Sequence, residues 1–327
     1  MTRLAWITLA ALAAASPVWA ETPAAGDASW PGKPIRFIVP FPAGSLSDTA
    51  ARLVGQRLAR ALGQPLVIDN RSGASGNIGV QAAAKAAPDG YTIVLGTTST
   101  HAVAATLNPQ LGYDPVRDFA PVSLIGSSPY VLVLHPSVAA KDLKELIALA
   151  RAKPKELNYA SAGPASLAHL AGELFATMAG VKLTHVPYKS SALAVIDITN
   201  GRIEMQFGTI GPTLPHIRSG KLRAVGVTGT ARITALPEVP TLDEAGLPGY
   251  EASLWMGIFA PAGTREAIVA RLNRELAAVL ASGDVREALV AQGLEPAPNA
   301  PEAFAAYIRK EIAKWRDVIK AAGIRPE

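Results

Sequence analysis

Two loops of small and hydroxyl-bearing residues are the segments of this sequence best suited to binding an anion. The first loop, residues 42–47, reads PAGSLS, and the second loop, residues 160–166, reads ASAGPAS. Each follows a predicted strand and opens a predicted helix, whose first backbone N–H groups have no acceptor within the helix. Such helix N-termini bind carboxylate or phosphate without any arginine or lysine. Either loop alone could equally be a tight turn with a serine cap, but two of them can hold an anion from both sides of a cleft.

Several residues beside these loops could add to a binding site. Residues 96–100, GTTST, form a hydroxyl-rich segment after the third predicted strand, although an ordinary loop would look the same. Asp48 either stabilises the helix N-terminus behind the first loop or accepts a hydrogen bond from an amino group of the ligand. Lys189, directly after Tyr188, either reaches an anion or is a surface lysine.

The sequence lacks the motifs of the common hydrolases, metalloproteases and nucleotide-binding enzymes. HExxH, GxSxG, the Walker loop and GxGxxG are all absent. No two histidines stand at the spacing of metal ligands, and those in or beside predicted strands are typical of structural positions. The histidines are His101, His135, His169, His185 and His216. A serine hydrolase would also need a residue to orient its base, and the pattern offers none. We therefore predict no catalytic residue, no metal and no cofactor.

Composition excludes further classes of protein. Hydrophobic residues make up 49% of the 327 residues and charged residues 17%, which is too apolar for a disordered chain. The absence of cysteine excludes disulfides, thiolate metal sites and a cysteine nucleophile. The net charge of +5 is spread over helix faces rather than gathered in a stripe, which argues against nucleic-acid binding. The length predicts about two domains of ordinary size.

The first twenty residues read as a targeting signal. A basic start is followed by a short apolar run and by Val18-Trp19-Ala20, the small-residue pattern that signal peptidase cleaves. The run is too short to span a bilayer. We therefore predict a signal peptide at residues 1–20, an exported mature chain starting at Glu21, and no lipid anchor because no cysteine follows the cleavage site.

Strands and helices alternate through the rest of the chain. In the first unit, apolar runs predict strands at residues 35–39, 66–68 and 91–95, with helices between them, the first capped by Ser47. A second unit of the same kind spans residues 130–227. This order implies an α/β fold with parallel sheets covered by helices.

A returning strand and a helical tail complete the predicted elements. The strand is expected at residues 253–259, and three helices follow it. Two α/β units and a tail indicate two lobes, with hinges expected near residues 126–128 and 249–253. Periodicity alone does not settle which lobe receives the tail.

Seven motifs in order along the chain carry a specific resemblance. They are PFPAG at 40–44 with Asp48 and Ala51-Arg52, NRSGASGNIG at 70–79, APDGYT at 87–92, HVPYK at 185–189, GKLRA at 220–224, PEVPTLDEAG at 237–246 and APAGT at 260–264. Together the motifs resemble those of the Bug receptor family, the solute-binding proteins of tripartite tricarboxylate transporters.

The resemblance implies a two-lobed, type II-like periplasmic-binding-protein clamshell, each lobe a mainly parallel sheet flanked by helices. Lobe 1 would comprise residues 30–127 and 250–327, since the C-terminal helices return to it, and lobe 2 residues 128–249. It implies a monomeric periplasmic receptor, not an enzyme, that delivers a small carboxylate to membrane transporter subunits. The ligand would be a di- or tricarboxylate, an acidic amino acid or an aromatic acid, held by the two loops and bridging waters.

The residues predicted to bind the ligand lie at or just after the ends of predicted strands. They are Phe41, Ala43, Gly44, Ser45, Ser47, Asp48, Thr97, Thr98, Ser161, Ala162, Gly163, Ser166, His169, Tyr188 and Thr209. Within the first loop, the backbone N–H groups of Gly44 and Ser45 are expected to reach a ligand carboxylate.

Three departures from the family pattern bear on the ligand rather than on the fold. Ser45 stands where a second glycine is common, Ser190 stands where a glycine usually follows Tyr-Lys, and residues 207–211 lack an acidic residue often found there.

Two other functions stay open from the sequence. One is an exported serine-dependent hydrolase, and the other is a ligand sensor of a two-component system.

Overall fold

The computed structural model of the protein describes residues 30–188 and 191–324. The predicted signal peptide at residues 1–20, Lys189 and Ser190 lie outside the described residues. From residue 31 onward, the described chain belongs to one compact unit. Within the described ranges, no helix has the length and apolar character needed to cross a membrane.

The described residues form ten strands and ten α-helices, which alternate up to β8. The strands are β1 Ile35–Val39, β2 Leu66–Asn70, β3 Thr92–Thr97, β4 Phe119–Leu134, β5 Asn158–Ser161, β6 Thr184–Pro187, β7 Met205–Thr209, β8 Arg223–Val227, β9 Ser253–Pro261 and β10 Glu295–Pro296. The helices are α1 Leu46–Leu62, α2 Asn77–Ala84, α3 Ala104–Leu107, α4 Leu143–Ala152, α5 Leu167–Ala179, α6 Ser191–Thr199, α7 Ile210–Arg218, α8 Glu266–Ala281, α9 Gly283–Ala291 and α10 Pro301–Ala321.

The strands assemble in the order β2-β1-β3-β9-β4-β7-β5-β6, with β8 and β10 also paired to β4. The group β2-β1-β3 is parallel, and so is the group β6-β5-β7. Between them, β9 and β4 run antiparallel to their neighbours, because the chain crosses there from one group to the other. The predicted α/β class is confirmed, with parallel groups at the two ends of the sheet and antiparallel crossing strands in the middle.

The carboxyl ends of the two parallel groups meet near the middle of β4. Thr97, at the end of β3, pairs with Met256 of β9, which pairs with Gly126 of β4. Thr209, at the end of β7, pairs with Tyr130 of β4. β3 runs in the same direction as β4 and β7 in the opposite direction, so the two ends point towards each other. The separation from Gly126 to Tyr130 is about 13 Å of strand.

The first half of β4 is the largest difference from the sequence prediction. The sequence predicts strand only at residues 130–134 and a hinge near residues 126–128, where the chain changes lobes. Instead Ser127 pairs antiparallel with Trp255 of β9 and with Glu295 of β10. Partners on both sides supply the backbone hydrogen bonds that keep this segment extended.

The C-terminal helices pack against the crossing strands and their surroundings. α8 contacts α1 and β4, while α10 contacts β4, α5 and α8. The buried face of α10 includes Phe304 and Trp315, which join Trp255 and Phe259 of β9 in the main core. These aromatic side chains fix the position of β9 beside β4. They thereby determine where along β4 the carboxyl ends of the two parallel groups meet.

Candidate functional site

The first loop connects β1 to α1 and ends in a serine cap. Ser45 is the N-cap, and its side chain accepts a hydrogen bond from the Asp48 N–H at 3.2 Å. The prediction of Ser47 as the cap is wrong, because the helix begins at Leu46 and Ser47 is already its second residue. Gly44 has a φ of +80°, a left-handed conformation that glycine adopts without strain.

The two N–H groups expected to face the ligand donate within the loop instead. Gly44 N–H donates to Asp48 Oδ2 at 2.8 Å, and Ser45 N–H donates to a carbonyl of the loop at 3.2 Å. The next two N–H groups, those of Leu46 and Ser47, have no acceptor among the described residues. The donors that this helix N-terminus can offer to an anion are therefore shifted into its first turn.

Asp48 is the centre of the hydrogen bonds behind the first loop. Its Oδ1 accepts from Asn70 Nδ2 at 2.9 Å, and its Oδ2 accepts from Arg52 Nε at 2.9 Å as well as from Gly44. Burial works to raise the pKa of Asp48, but the hydrogen bonds from Arg52, Gly44 and Asn70 outweigh it and lower the pKa to about 2. Of its two predicted roles, these contacts support stabilisation of the loop. Sequence reasoning missed Asn70, although it begins the motif at residues 70–79.

The second loop connects β5 to α5 on the same plan. Ser166 is the N-cap, and its side chain accepts from the His169 N–H at 3.3 Å. The Ala165 N–H donates to His169 Nδ1 at 3.0 Å, as Gly44 does to Asp48 in the first loop. The N–H groups of Leu167 and Ala168, the first residues of α5, have no acceptor within the described part of the chain.

Ser161 holds the start of the second loop. Its Oγ accepts from the Gly163 N–H at 3.1 Å and lies 2.6 Å from His185 Nε2. The side chain is completely buried. Gly163 has a φ of +118°, so glycine is needed where the loop turns. The predicted contacts Ser161 and Gly163 thus shape the loop through their hydrogen bonds.

A stacked pair of histidines lies behind the second loop. The rings of His169 and His185 are 3.8 Å apart between centroids and tilted by only 6°. Burial lowers the pKa of His169, and it lowers that of His185 to about 4, with a further lowering from the neighbouring His169. Sequence reasoning treated His185 as a structural strand residue. The position of His185 follows from the pairing of β6 with β5, which puts this residue beside Tyr159 and under α5.

Thr97 and Thr98 are predicted contacts that the structure places in the interior. Thr98 Oγ1 accepts from the Trp255 N–H at 2.8 Å and donates to the Ser253 carbonyl at 3.2 Å. The Thr97 N–H donates to Thr100 Oγ1 at 3.0 Å. Both threonine side chains are buried. The Thr98 bonds tie the end of β3 to β9, the Thr97 bond holds the turn after β3, and neither supports a role in ligand binding.

Tyr188 and Thr209 lie at the carboxyl ends of β6 and β7, beside the second loop. The Tyr188 N–H donates to the Ser161 carbonyl at 3.0 Å, and its hydroxyl donates to Asp197 Oδ2 at 2.7 Å. Burial and the Asp197 hydrogen bond raise the pKa of Tyr188 to about 12. Thr209 is the N-cap of α7, and both its N–H and its hydroxyl reach Ser191 Oγ at 3.3 Å.

The remaining predicted contacts are apolar. Phe41 is half-buried, its carbonyl accepts from Asn70 Nδ2 at 3.1 Å, and its ring lies against Gly76, where a Cβ would come within 3.2 Å of the ring. Ala43 and Ala162 are exposed, one in each loop. The surface that these side chains leave exposed beside the loops is apolar. Within the described residues there is no cluster of side chains that could hold a metal ion.

Comparison with known proteins gives consistent matches over most of the chain. The sequence model of a family described as "Tripartite tricarboxylate transporter family receptor" matches residues 50–324. Protein BugT of Bordetella pertussis is 40% identical over 320 residues, which is 98% of this chain and 96% of BugT.

Two solved structures with bound ligands are also similar. One, titled "R. palustris Rpa4515 with adipate", is 40% identical, with a TM-score of 0.73, and covers 91% of this chain and 100% of its own. The other is MatC (Rpa3494) from Rhodopseudomonas palustris with bound malate. It is 35% identical, with a TM-score of 0.68, and covers 89% of this chain and 100% of its own. These matches confirm the predicted periplasmic-binding-protein fold.

Proposed function

Because this chain belongs to the family of tripartite tricarboxylate transporter receptors, we propose that it captures a small carboxylate between its two loops and delivers it to the membrane subunits of such a transporter. Family membership implies an extracytoplasmic protein, and the predicted signal peptide makes the periplasm the proposed compartment. One observation carries the proposed site. The carboxyl ends of two parallel strand groups point at each other across the middle of β4.

A carboxylate is the ligand class that the loops favour. Each loop opens a helix of more than two turns, α1 or α5, with two consecutive N–H groups that lack an acceptor among the described residues. Two parallel N–H donors match the two oxygens of one carboxylate, and the helix dipole adds to the attraction. The relatives bound to adipate and to malate carry dicarboxylates, so the proposed ligand is a small dicarboxylate with one carboxylate at each loop.

The proposed receptor is not an enzyme. Ser161 and His185 are within hydrogen-bond distance, but the serine side chain is completely buried and already bonded to the second loop. An attacking hydroxyl must reach a substrate carbonyl, and this one is covered. The arrangement therefore supports a loop-holding role for Ser161 rather than that of a nucleophile.

We further propose that ligand binding closes two lobes of a monomer, residues 30–127 with 250–327 and residues 128–249. The crossing strands support this division, since β4 joins the two groups and β9 runs beside its first half. Closure of this kind concentrates the change in φ and ψ in a few hinge residues. A smaller radius of gyration in the presence of the bound ligand would support closure, and identical scattering curves at saturation would contradict it.

Removal of a single backbone donor tests the proposed site. Leu46→Pro deletes the N–H at the first position of α1, where proline is compatible with a helix and Ser45 already has the extended backbone that a following proline requires. The loss of one charge-assisted hydrogen bond is expected to weaken adipate or malate binding about tenfold or more. Titration calorimetry on wild type and variant measures this change.

The matched control places the same substitution at another helix start. Glu266→Pro lies at the first position of α8, outside both loops, and its side chain is exposed. It should keep the affinity of the wild type. Equal affinities of Leu46→Pro and wild type would show that the anion does not lie on the N-terminus of α1.

A further inference from the structure

The stacked histidines behind the second loop form a hydrogen-bonded chain that carboxylate binding by backbone N–H groups does not itself require. From the loop inwards, Gly163 N–H bonds to Ser161 Oγ, and Ser161 Oγ lies 2.6 Å from His185 Nε2. The His185 ring stacks on His169, whose Nε2 lies 3.7 Å from a carboxylate oxygen of Glu173. A titratable base, His185, is thus connected through the Ser161 hydroxyl to the loop that is proposed to hold an anion.

The Ser161 hydroxyl can turn between two acceptors. Its Oγ is 2.6 Å from His185 Nε2 and 3.0 Å from the Gly163 carbonyl oxygen. When His185 is neutral, its Nε2 accepts the hydroxyl proton. When His185 is protonated, its Nε2–H donates to Ser161 Oγ and the hydroxyl turns to Gly163. In both states Ser161 Oγ and His185 Nε2 are hydrogen-bonded to each other, so His185 can gain a proton while the loop keeps its shape.

His169 cannot gain a proton in the same way. Its Nδ1 accepts from the Ala165 N–H at 3.0 Å, so a proton on that nitrogen would set two donors against each other and break a bond that positions the loop. Two charged rings stacked at 3.8 Å would also repel each other. A single added proton therefore belongs on His185.

Few charged groups face His185 among the described residues. Tyr159 approaches from β5 with its ring 5.1 Å away, and its hydroxyl donates to Glu173 at 2.6 Å. Glu173, on α5, favours a charged His185, while His169 and burial oppose it. On the α6 side, Asp197 is already paired with Tyr188 and with an arginine. Without ligand the neutral ring is therefore favoured, and a further negative charge near it would shift the balance towards the charged ring.

Resting on the proposed function, we propose that His185 takes up a proton from solvent when a ligand carboxylate occupies the second loop, so that ligand capture and protonation of His185 are linked. Without ligand, burial holds the pKa of His185 at about 4, so the ring is almost entirely neutral at pH 7. An anion at the loop favours the charged ring, and by reciprocity the charged ring favours the anion.

The linkage predicts binding that strengthens as the pH falls. Suppose that the bound carboxylate favours the imidazolium about a hundredfold, the middle of the range for a neighbouring opposite charge. The affinity for the fully ionised ligand should then rise about twofold from pH 8 to pH 6 and about tenfold from pH 8 to pH 5. His185 should take up about 0.5 proton per ligand at pH 6, and about 0.8 at pH 5.

Calorimetry with a matched pair of histidine variants tests this linkage. The probe is adipate or malate, whichever binds the wild type more tightly, titrated from pH 5 to pH 8 in two buffers of different ionisation enthalpy. His185→Gln keeps an amide that can bond to Ser161 but cannot titrate. Comparison at each pH cancels the protonation of the probe itself. His135→Gln is the control. His135 directly follows the C-terminal end of β4, and its Nδ1 lies 2.7 Å from Ser137 Oγ.

A net proton uptake that is larger in wild type and His135→Gln than in His185→Gln at the same pH would support the proposal. Net uptake that is equal in His185→Gln and wild type would overturn it. Equal uptake together with full binding would leave the carboxylate receptor standing. No binding of either probe would overturn the proposed function, and this inference with it.

Discussion

The two loops share one hydrogen-bonding plan but differ in the chemistry of a single position. In each loop a serine, Ser45 or Ser166, caps the helix and accepts from the N–H three residues later. The side chain of that later residue reaches back to the N–H before the cap. This residue is Asp48 in the first loop and His169 in the second. Carboxylate oxygen and imidazole nitrogen thus serve as equivalent acceptors.

The difference shows that loop shape and loop charge can be set independently. Asp48 stays ionised at any physiological pH and is balanced by Arg52, whereas burial lowers the pKa of His169, and a second titratable ring, that of His185, is stacked on it. The first loop therefore has fixed electrostatics. The second loop can respond to pH or to the charge of its ligand. The following predictions test this contrast, starting from the largest expected effect.

Loss of one N–H donor from each loop should weaken ligand binding most. The double variant Leu46→Pro/Leu167→Pro removes the first N–H of α1 and of α5, and is expected to weaken dicarboxylate binding by a factor on the order of 100 or more. If both loops hold the same ligand, the two single effects should add in free energy within the cycle. Calorimetry of the four proteins measures this. A double variant no weaker than the worse single variant would show that only one loop binds the anion.

The fixed charge of the first loop should appear as pH-dependent stability. The pKa of Asp48 is lowered from 3.8 to about 2 in the fold, so it stabilises the protein above pH 4 and that contribution is lost as the pH falls through 2. Asp48→Asn should therefore lower the free energy of unfolding by about 2 kcal/mol at pH 7 and by little at pH 2. Denaturant unfolding at several pH values measures the loss.

A surface carboxylate provides the control for this prediction. Asp317→Asn removes an exposed partner of Arg316 and should change the free energy of unfolding by less than about 1 kcal/mol at any pH. An Asp48→Asn effect that does not vary with pH would mean that the loss comes from packing rather than from charge.

Removal of the serine N-caps, which both loops share, should give the smallest effects on stability, and these effects should be similar in the two loops. Ser45→Ala and Ser166→Ala each remove an N-cap and should cost about 1 kcal/mol, which lowers the melting temperature by about 2–4 °C. Thr49→Ala, just inside α1 and outside the cap, should lower it less. Unequal losses, with one serine costing several times the other, would contradict the view that both loops follow one plan.

Local patterns in the sequence were sufficient for the class of fold and for the position of the two loops. β-branched runs such as residues 35–39 and amphipathic stretches such as α1 depend on neighbouring residues only, and so does the glycine that ends α1 at Gly63. The strand-to-helix order then implied that both loops lie at carboxyl ends of parallel strands, as they do. Seven ordered motifs identified the family.

Tertiary contacts decided which groups within the loops are available. Whether the N–H of Gly44 faces a ligand depends on where Asp48 points, and that in turn depends on Asn70, a residue on another strand. The hydroxyl of Thr98 looks available in the sequence, but the neighbouring strand β9 takes up its hydrogen bonds.

Tertiary contacts also decided the structure of the predicted hinge segment and of the histidine pair. Residues 126–128 have the composition of a turn and become strand only because β9 and β10 supply partners. His169 and His185 lie on different elements and meet because β6 pairs with β5 beneath α5. Periodicity and turn chemistry are properties of a few consecutive residues, so the sequence alone determined the elements and their order. Hydrogen-bond partners and stacked rings join residues far apart along the chain, so only the folded structure decided which groups hold the loops and which remain to bind a ligand.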